Sequence, residues 1–352
     1  MKNRIFSQTI QRAKQTMKNA IGNKVACGLT LTFFMLNGFA SAQSLYVVQP
    51  ASAQSAGKLA AKVKTENGWE VVPQTRQLGT KGFTVNTGNG IEYHGGLIMP
   101  YTVKIYLIWY GNWSNKTYNG DTPETVSLIK SFVQGIGGTG YQKISTTYGD
   151  TTDNVTAKVE FIKSVAVGYP FGKDISDTNV QQVIQQQIDD GILPDSRYSV
   201  YFLITSADVN EHNDQGTEAF CANYCGWHNS MPVGDLDVKY SWVGNPERCP
   251  SNCMGQTNGP NGDDAADGIS NVMAHELNEA ITDPDLNAWW VTSTGYEMGD
   301  LCAWNFGQLL GGSMGDKAYN ETFGGHNWLL QTLWENKNGG GCVNYLNGPF
   351  HP

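Results

Sequence analysis

The nonapeptide "TVKIYLIWY" at residues 102–110 decides how the fold is read. Lys104 is its one charged residue, and β-branched and aromatic side chains dominate the rest, the composition of a buried strand. Two stretches of the same kind follow, "AKVEFIK" at 157–163 and "SVYFLIT" at 199–205. Between them lie helical patterns, "TPETVSLIKSFVQGI" at 122–136 and "DTNVQQVIQQQIDDG" at 177–191. Each opens on a Thr or Asp suited to capping, and the second closes on Gly191. Strands alternating with helices predict a single layered α/β (α+β) domain. After residue 205 the chain becomes rich in Gly, Pro, Asn and Cys, which predicts loops, until a further helix over 268–283.

That helix lies in "DGISNVMAHELNEAITDP" at 267–284. Ile269, Val272, Met273, Leu277, Ala280 and Ile281 recur close to the helical period, and Pro284 ends it or sits just beyond its end. His275, Glu279 and Asp283 stand one turn apart in a single row. Burying that row unpaired is costly, so it must meet solvent, a positive partner or a metal. His-Glu-x-x-His on a helix is a zinc-hydrolase signature, because imidazoles one turn apart share an ion and the Glu works on its bound water. Here Glu279 stands where the second His would be. Zinc also accepts carboxylate oxygen, so the stretch predicts zinc on His275 and Glu279, with Glu276 as general base. Glu297, 22 residues after His275 in "GYEMGD", is the expected third ligand, with His228 of "CGWH" competing for that place. Asp300 is expected to orient His275 from outside the coordination sphere. The alternative is an amphipathic helix whose His is merely half-buried and hydrogen-bonded. "PNGDDAADG" at 260–268 offers Asp263, Asp264 and Asp267 to calcium, but without EF-hand spacing; a turn leading into the helix is the preferred reading.

Outward from these elements, the first 42 residues hold six basic residues and no acidic one, then the apolar run "ACGLTLTFFMLNGFA" and the small-residue stretch "ASA" at 40–42. This is the pattern of a signal peptide cleaved after Ala42, with a retained N-terminal anchor as the alternative. Cys27 is poorly placed for a lipoprotein anchor. Without those six basic residues, the 23 Lys and Arg fall to 17 against 32 Asp and Glu, so the formal charge moves from −9 to −15. Such a surface repels nucleic acid and anionic membranes. Residues 43–90 are poor in large apolar side chains and are expected to form a flexible segment, leaving 91–352 as the globular domain. Cys221, Cys225, Cys249, Cys253, Cys302 and Cys342 form an even set in an exported chain and are expected as disulfides, though "CANYC" and "CPSNC" also resemble zinc pairs. Cys302 with Cys342 would be the long-range bridge; sequence does not fix the pairing. Trp109, Trp113, Trp227, Trp242, Trp289 and Trp290 fit either sugar stacking or core packing, with core the default. His94 in "YHGG" either faces the cleft or shapes a turn. No Gly-x-Ser-x-Gly elbow or phosphate-binding loop is present.

Four blocks together resemble the phosphate-induced protein 1 family, whose plant members are called EXORDIUM: "YHGGLIMPYTVKIYLIWYGNW" at 93–113, "FCANYCGWH" at 220–228, "YSWVGNPERCPSNC" at 240–253 and "PNGDDAADG" at 260–268. The resemblance implies a secreted protein of the cell wall or medium, linked to growth responses without an established enzymatic activity. "HELNEAITDP" followed by "GYEMGDLC" departs from the plant pattern and resembles bacterial relatives and a zincin metallopeptidase site. Two functions follow as expectations. One is zinc-dependent hydrolysis of an extracellular peptide or protein. The other is noncatalytic binding of cell-wall polysaccharide or a secreted partner.

Overall fold

The stretch at 102–110 forms β1 (Val103–Tyr110), buried at every position except Lys104. β2 (Val159–Gly168) and β3 (Ser199–Thr205) flank it, both parallel to it. β3 is buried throughout, while β2, at the edge of the sheet, is largely open. Central strands buried on both sides need helices over both faces of the sheet. The computed structural model describes residues 90–346 except 115–117, 119, 151–152 and 338; before residue 90 it describes only the backbones of Val47–Val48, Lys58–Thr65 and Gly68–Thr75. The expected leader at 1–42, Cys27 within it, and most of the 43–90 segment lie outside the described residues.

α1 (Pro123–Ile136) starts where expected, with the Thr122 hydroxyl accepting the Thr125 N–H, and buries Ile129, Phe132, Val133 and Ile136. α2 (Asp177–Asp189) also forms, but Ser176 rather than Asp177 caps it, in a reciprocal capping box with Asn179. The long stretch from residue 206 to 263 is not all loop. It contains a hairpin of β4 (Gly226–Val233) and β5 (Leu236–Val243), which extends the sheet to the order β4-β5-β3-β1-β2. β5 runs parallel to β3 and β4 antiparallel to β5; Val47–Val48 pairs with the outer side of β4 at Gly226 and Trp227. "GWHNSMPV" hides its strand character because Pro232 and Gly226 interrupt it. Pro232 is tolerated near the end of an outer strand, where an amide is least missed.

α3 (Asp264–Thr282) begins four residues before the expected start, because the Asp263 carboxylate accepts the Ala266 N–H. α1 and α3 pack side by side, α1 over β2 and α3 over β4 and β5. A right-handed crossover from β2 to β3 puts α2 on the opposite face. The chain after α3 returns as short hairpins over its outer side, where the Asn271 side chain accepts the Gln331 N–H. α3 is therefore buried from Ala265 to Thr282, on its polar row as well as its apolar one.

The six cysteines among the described residues all pair. Cys302–Cys342 forms as expected, whereas the two short motifs are not closed internally but bridged to each other, Cys221 to Cys249 and Cys225 to Cys253. No helix among the described residues is long and apolar enough to cross a membrane.

Candidate metal centre

The helical repeat of α3 carries His275, Glu276, Glu279 and Asp283 toward the base of β4. Alternation along β4 turns Gly226 and His228 to that same side. A side chain at Gly226 would put its Cβ 2.6 Å from Val272 Cγ1, so glycine is what lets the strand lie against the helix. Glu297 and Asp300 arrive on the turn that follows. Gly299 makes that turn possible, since a Cβ there would fall 2.7 Å from Glu279 Oε1 and 2.8 Å from His275 Nδ1. The N–H groups of Gly299 and Asp300 both donate to Glu279 Oε1, at 3.1 and 3.0 Å. Asp283 caps the helix C-terminus and accepts the N–H groups of Asn287 and Ala288.

His228, His275, Glu276, Glu279, Asp283 and Glu297 are all 0% exposed and Asp300 is 1%. His275 Nε2 lies 3.1 Å from Glu279 Oε1 and 3.7 Å from Asp300 Oδ1, yet neither ring nitrogen of His275 makes a hydrogen bond. His228 Nε2 sits 3.0 Å from Glu297 Oε2, in a hydrogen bond, and 3.9 Å from Glu279 Oε2. Both oxygens of Glu276, Glu279 Oε2 and Glu297 Oε1 have no hydrogen-bond partner. Each such atom is a desolvated polar group left unpaid, which a folded protein rarely tolerates without an ion or water beside it. Donor atoms fall into two groups, each within 4.8 Å of one another: His228 with Glu279 and Glu297, and His275 with Glu276 and Glu279.

Burial raises the pKa of Glu276, and carboxylate neighbours add to it against the opposing pull of His275. Burial likewise raises Glu297, reinforced by Asp283 and Glu279, and lifts Asp283 and Asp300 to about 7 each. His228 is pushed down to about 4 by burial. For His275 burial again opposes the charged ring, but Glu279 and Asp300 outweigh it and the pKa rises. The charges acting on these carboxyls are one another, His275 and, on Asp283, the neighbouring Asp285, which is itself paired with Lys239. Glu276 and Glu297, raised in this way, hold their protons more tightly than free carboxyls do. A cation would replace them, releasing protons as it binds.

Every residue expected at the site converges here. His228, named from sequence only as a competitor for Glu297, stands beside it. Asp300 approaches the same ring nitrogen of His275 as Glu279 does, rather than the far one. Tyr141 and Tyr148, fully buried and close enough to Glu279 for its charge to raise both phenols further than burial alone, are also present. Nothing in their sequence context marks them. His94 is engaged elsewhere, stacked on Trp290 at 3.6 Å. Trp109, Trp113, Trp227 and Trp242 are core, and Trp289 and Trp290 are half-buried. In the 260–268 loop, Asp263 caps α3, Asp264 accepts the Gly259 N–H and Asp267 accepts from Asn261, so all three order the turn.

Fold and site define a disulfide-bonded α/β domain built around a buried imidazole and carboxylate cluster. The chain belongs to the phosphate-induced protein 1 family: the family's conserved region matches residues 91–343. It is similar to Protein EXORDIUM-like 3 of Arabidopsis thaliana, 27% identical over 292 residues covering 74% of this chain and 83% of the relative. Protein EXORDIUM-like 5 of the same plant is 28% identical over 281 residues, 69% of this chain and 75% of the relative. Protein PHOSPHATE-INDUCED 1 of Nicotiana tabacum is 21% identical over 230 residues, 57% and 67% of the two chains. No solved structure matches.

Proposed function

We propose that this chain is a secreted metalloprotein of the EXORDIUM-like type that hydrolyses peptide bonds on a zincin-like plan. The observation that carries the reading is the meeting of His275, His228, Glu279, Glu297 and Asp300 in one sealed site, with unpartnered donor atoms and His275 as the cationic group that acts on its carboxylates. Two imidazoles with carboxylates suit zinc or a similar transition ion better than calcium. Bound there, the ion would polarise a carbonyl and acidify a water. Glu276, whose two oxygens have no other partner, is the base for that water. The three disulfides accord with an oxidising, extracellular compartment. The test is elemental mass spectrometry on the mature protein purified without chelators: zinc is expected in the wild type and depleted in His275→Ala. Glu276→Gln is expected to abolish turnover of a casein-type substrate. Metal-free wild type would defeat the reading, and undiminished turnover in Glu276→Gln would remove that residue from the role.

Complete burial of the cluster favours a second reading, in which the ion is structural and the surface does the work. A groove of about 850 Å³ beside α2 is lined by Gln181, Gln182, Gln185, Gln186 and the exposed Phe171, with Asp189 as its one charged side chain. Uncharged amides with an aromatic ring suit the hydroxyls and faces of a neutral cell-wall polysaccharide. Retention on insoluble polysaccharide that survives complete metal removal is the result that separates this reading from the first.

A further inference from the structure

The two donor groups share one residue, Glu279, and this carries more than a single ion. Glu279 directs Oε1 toward His275 Nε2 at 3.1 Å and Oε2 toward His228 Nε2 at 3.9 Å. Its orientation is fixed by the N–H groups of Gly299 and Asp300 on Oε1, the kind of outer hydrogen bonding that ligating carboxylates ordinarily receive. Each imidazole has a second carboxylate of its own. Asp300 Oδ1 is 3.7 Å from His275 Nε2, and Glu297 Oε2 is 3.0 Å from His228 Nε2. Ligands held about 2.1 Å from a tetrahedral ion stand roughly 3.4 Å apart. Both sets of separations scatter around that edge length, about two different ring nitrogens.

We propose that the site holds two divalent transition cations bridged by Glu279. From the first donor group His275 and Glu279 Oε1 hold one ion, with Asp300, 3.7 Å from the same ring nitrogen, taking the third place so that Glu276 is left as the base; His228, Glu279 Oε2 and Glu297, the second group, hold the other. Glu276 stays beside the first ion, both its oxygens unpartnered. The inference rests on the metal reading above and adds a second ion to it. Formal charge supports the number. Glu276, Glu279, Asp283, Glu297 and Asp300 are five buried carboxylates; if all were ionised, one divalent ion would leave three negative charges sealed from water and two would leave one. Carboxylate-bridged pairs of this sort sit about 3.5–4 Å apart and clamp both the attacking and the leaving oxygen in a displacement.

The test uses the full mature chain, stripped and then dialysed against zinc alone, with the ratio of zinc to protein read by elemental mass spectrometry. Two ions per chain are expected, falling to one in His228→Ala. A second measurement needs no variant: wild type loaded with manganese(II) is expected to show the exchange-coupled electron paramagnetic resonance spectrum of a spin pair. One ion per chain with an uncoupled manganese spectrum overturns the second ion while leaving the mononuclear reading in place. No bound ion overturns both.

Discussion

Glu321 shows what an unpartnered buried carboxyl does away from the cluster. It is 1% exposed, burial alone lifts its pKa to about 8, and Oε1 has no partner. A carboxyl with a raised folded pKa holds its proton more tightly in the native state. Its stabilising contribution is therefore complete below the unfolded value near 4.5 and is lost as pH rises through about 8. Glu321→Gln is expected to melt higher than wild type at pH 8, with the difference shrinking toward pH 5, as read by thermal denaturation across that range. Equal melting temperatures at pH 8 would mean that the wild-type side chain finds a partner when it ionises. At this scale the sequence was legible where one helical period governs. His275, Glu276 and Glu279 could be placed together because their spacing is set by the backbone alone. The two jobs of Glu279 could not be read, since its N–H donors arrive from a turn 20 and 21 residues away.

Elements decide whether the site stays assembled. Asp300 and Cys302 share one short helical turn, Asp300–Cys302, and the bridge to Cys342 ties it to the C-terminal hairpins across 40 residues. In the chain-entropy view a loop of that size is worth about 4 kcal/mol. Replacing both Cys302 and Cys342 by Ser is expected to lower denaturant resistance by an amount of this order and to weaken zinc binding several-fold, since Asp300 loses its anchor. Equilibrium unfolding with and without zinc measures both effects; an unchanged midpoint would make the bridge dispensable. β1 and β3 were legible because both faces are buried, which leaves unbroken runs of β-branched and aromatic residues. β4 was not, because an outer strand with a glycine and a proline reads as loop, and β5, which has neither and lies inside the sheet, went unread with its hairpin partner. His228 could therefore be named from its neighbours but not positioned. The Ser176 cap was missed for a smaller reason: Asp177 is as good a cap by composition, and only the backbone decides between them.

For the molecule as a whole, the alternation of strands and helices revealed the layered class, while the path that brings residues 228, 275 and 300 together depended on the unread hairpin. That hairpin has a property of its own. Cys221 and Cys225 precede β4, Cys249 and Cys253 follow β5, and the two bridges join them across its open end. The connection between the strands is exposed at Gly234 and Asp235. A protease that cuts there frees nothing. The nicked protein is expected to migrate as one species on a gel without reductant and as two with it, and the strand carrying His228 stays paired meanwhile. In a protease-rich medium the chain can thus be severed at this exposed turn and persist as a two-chain molecule.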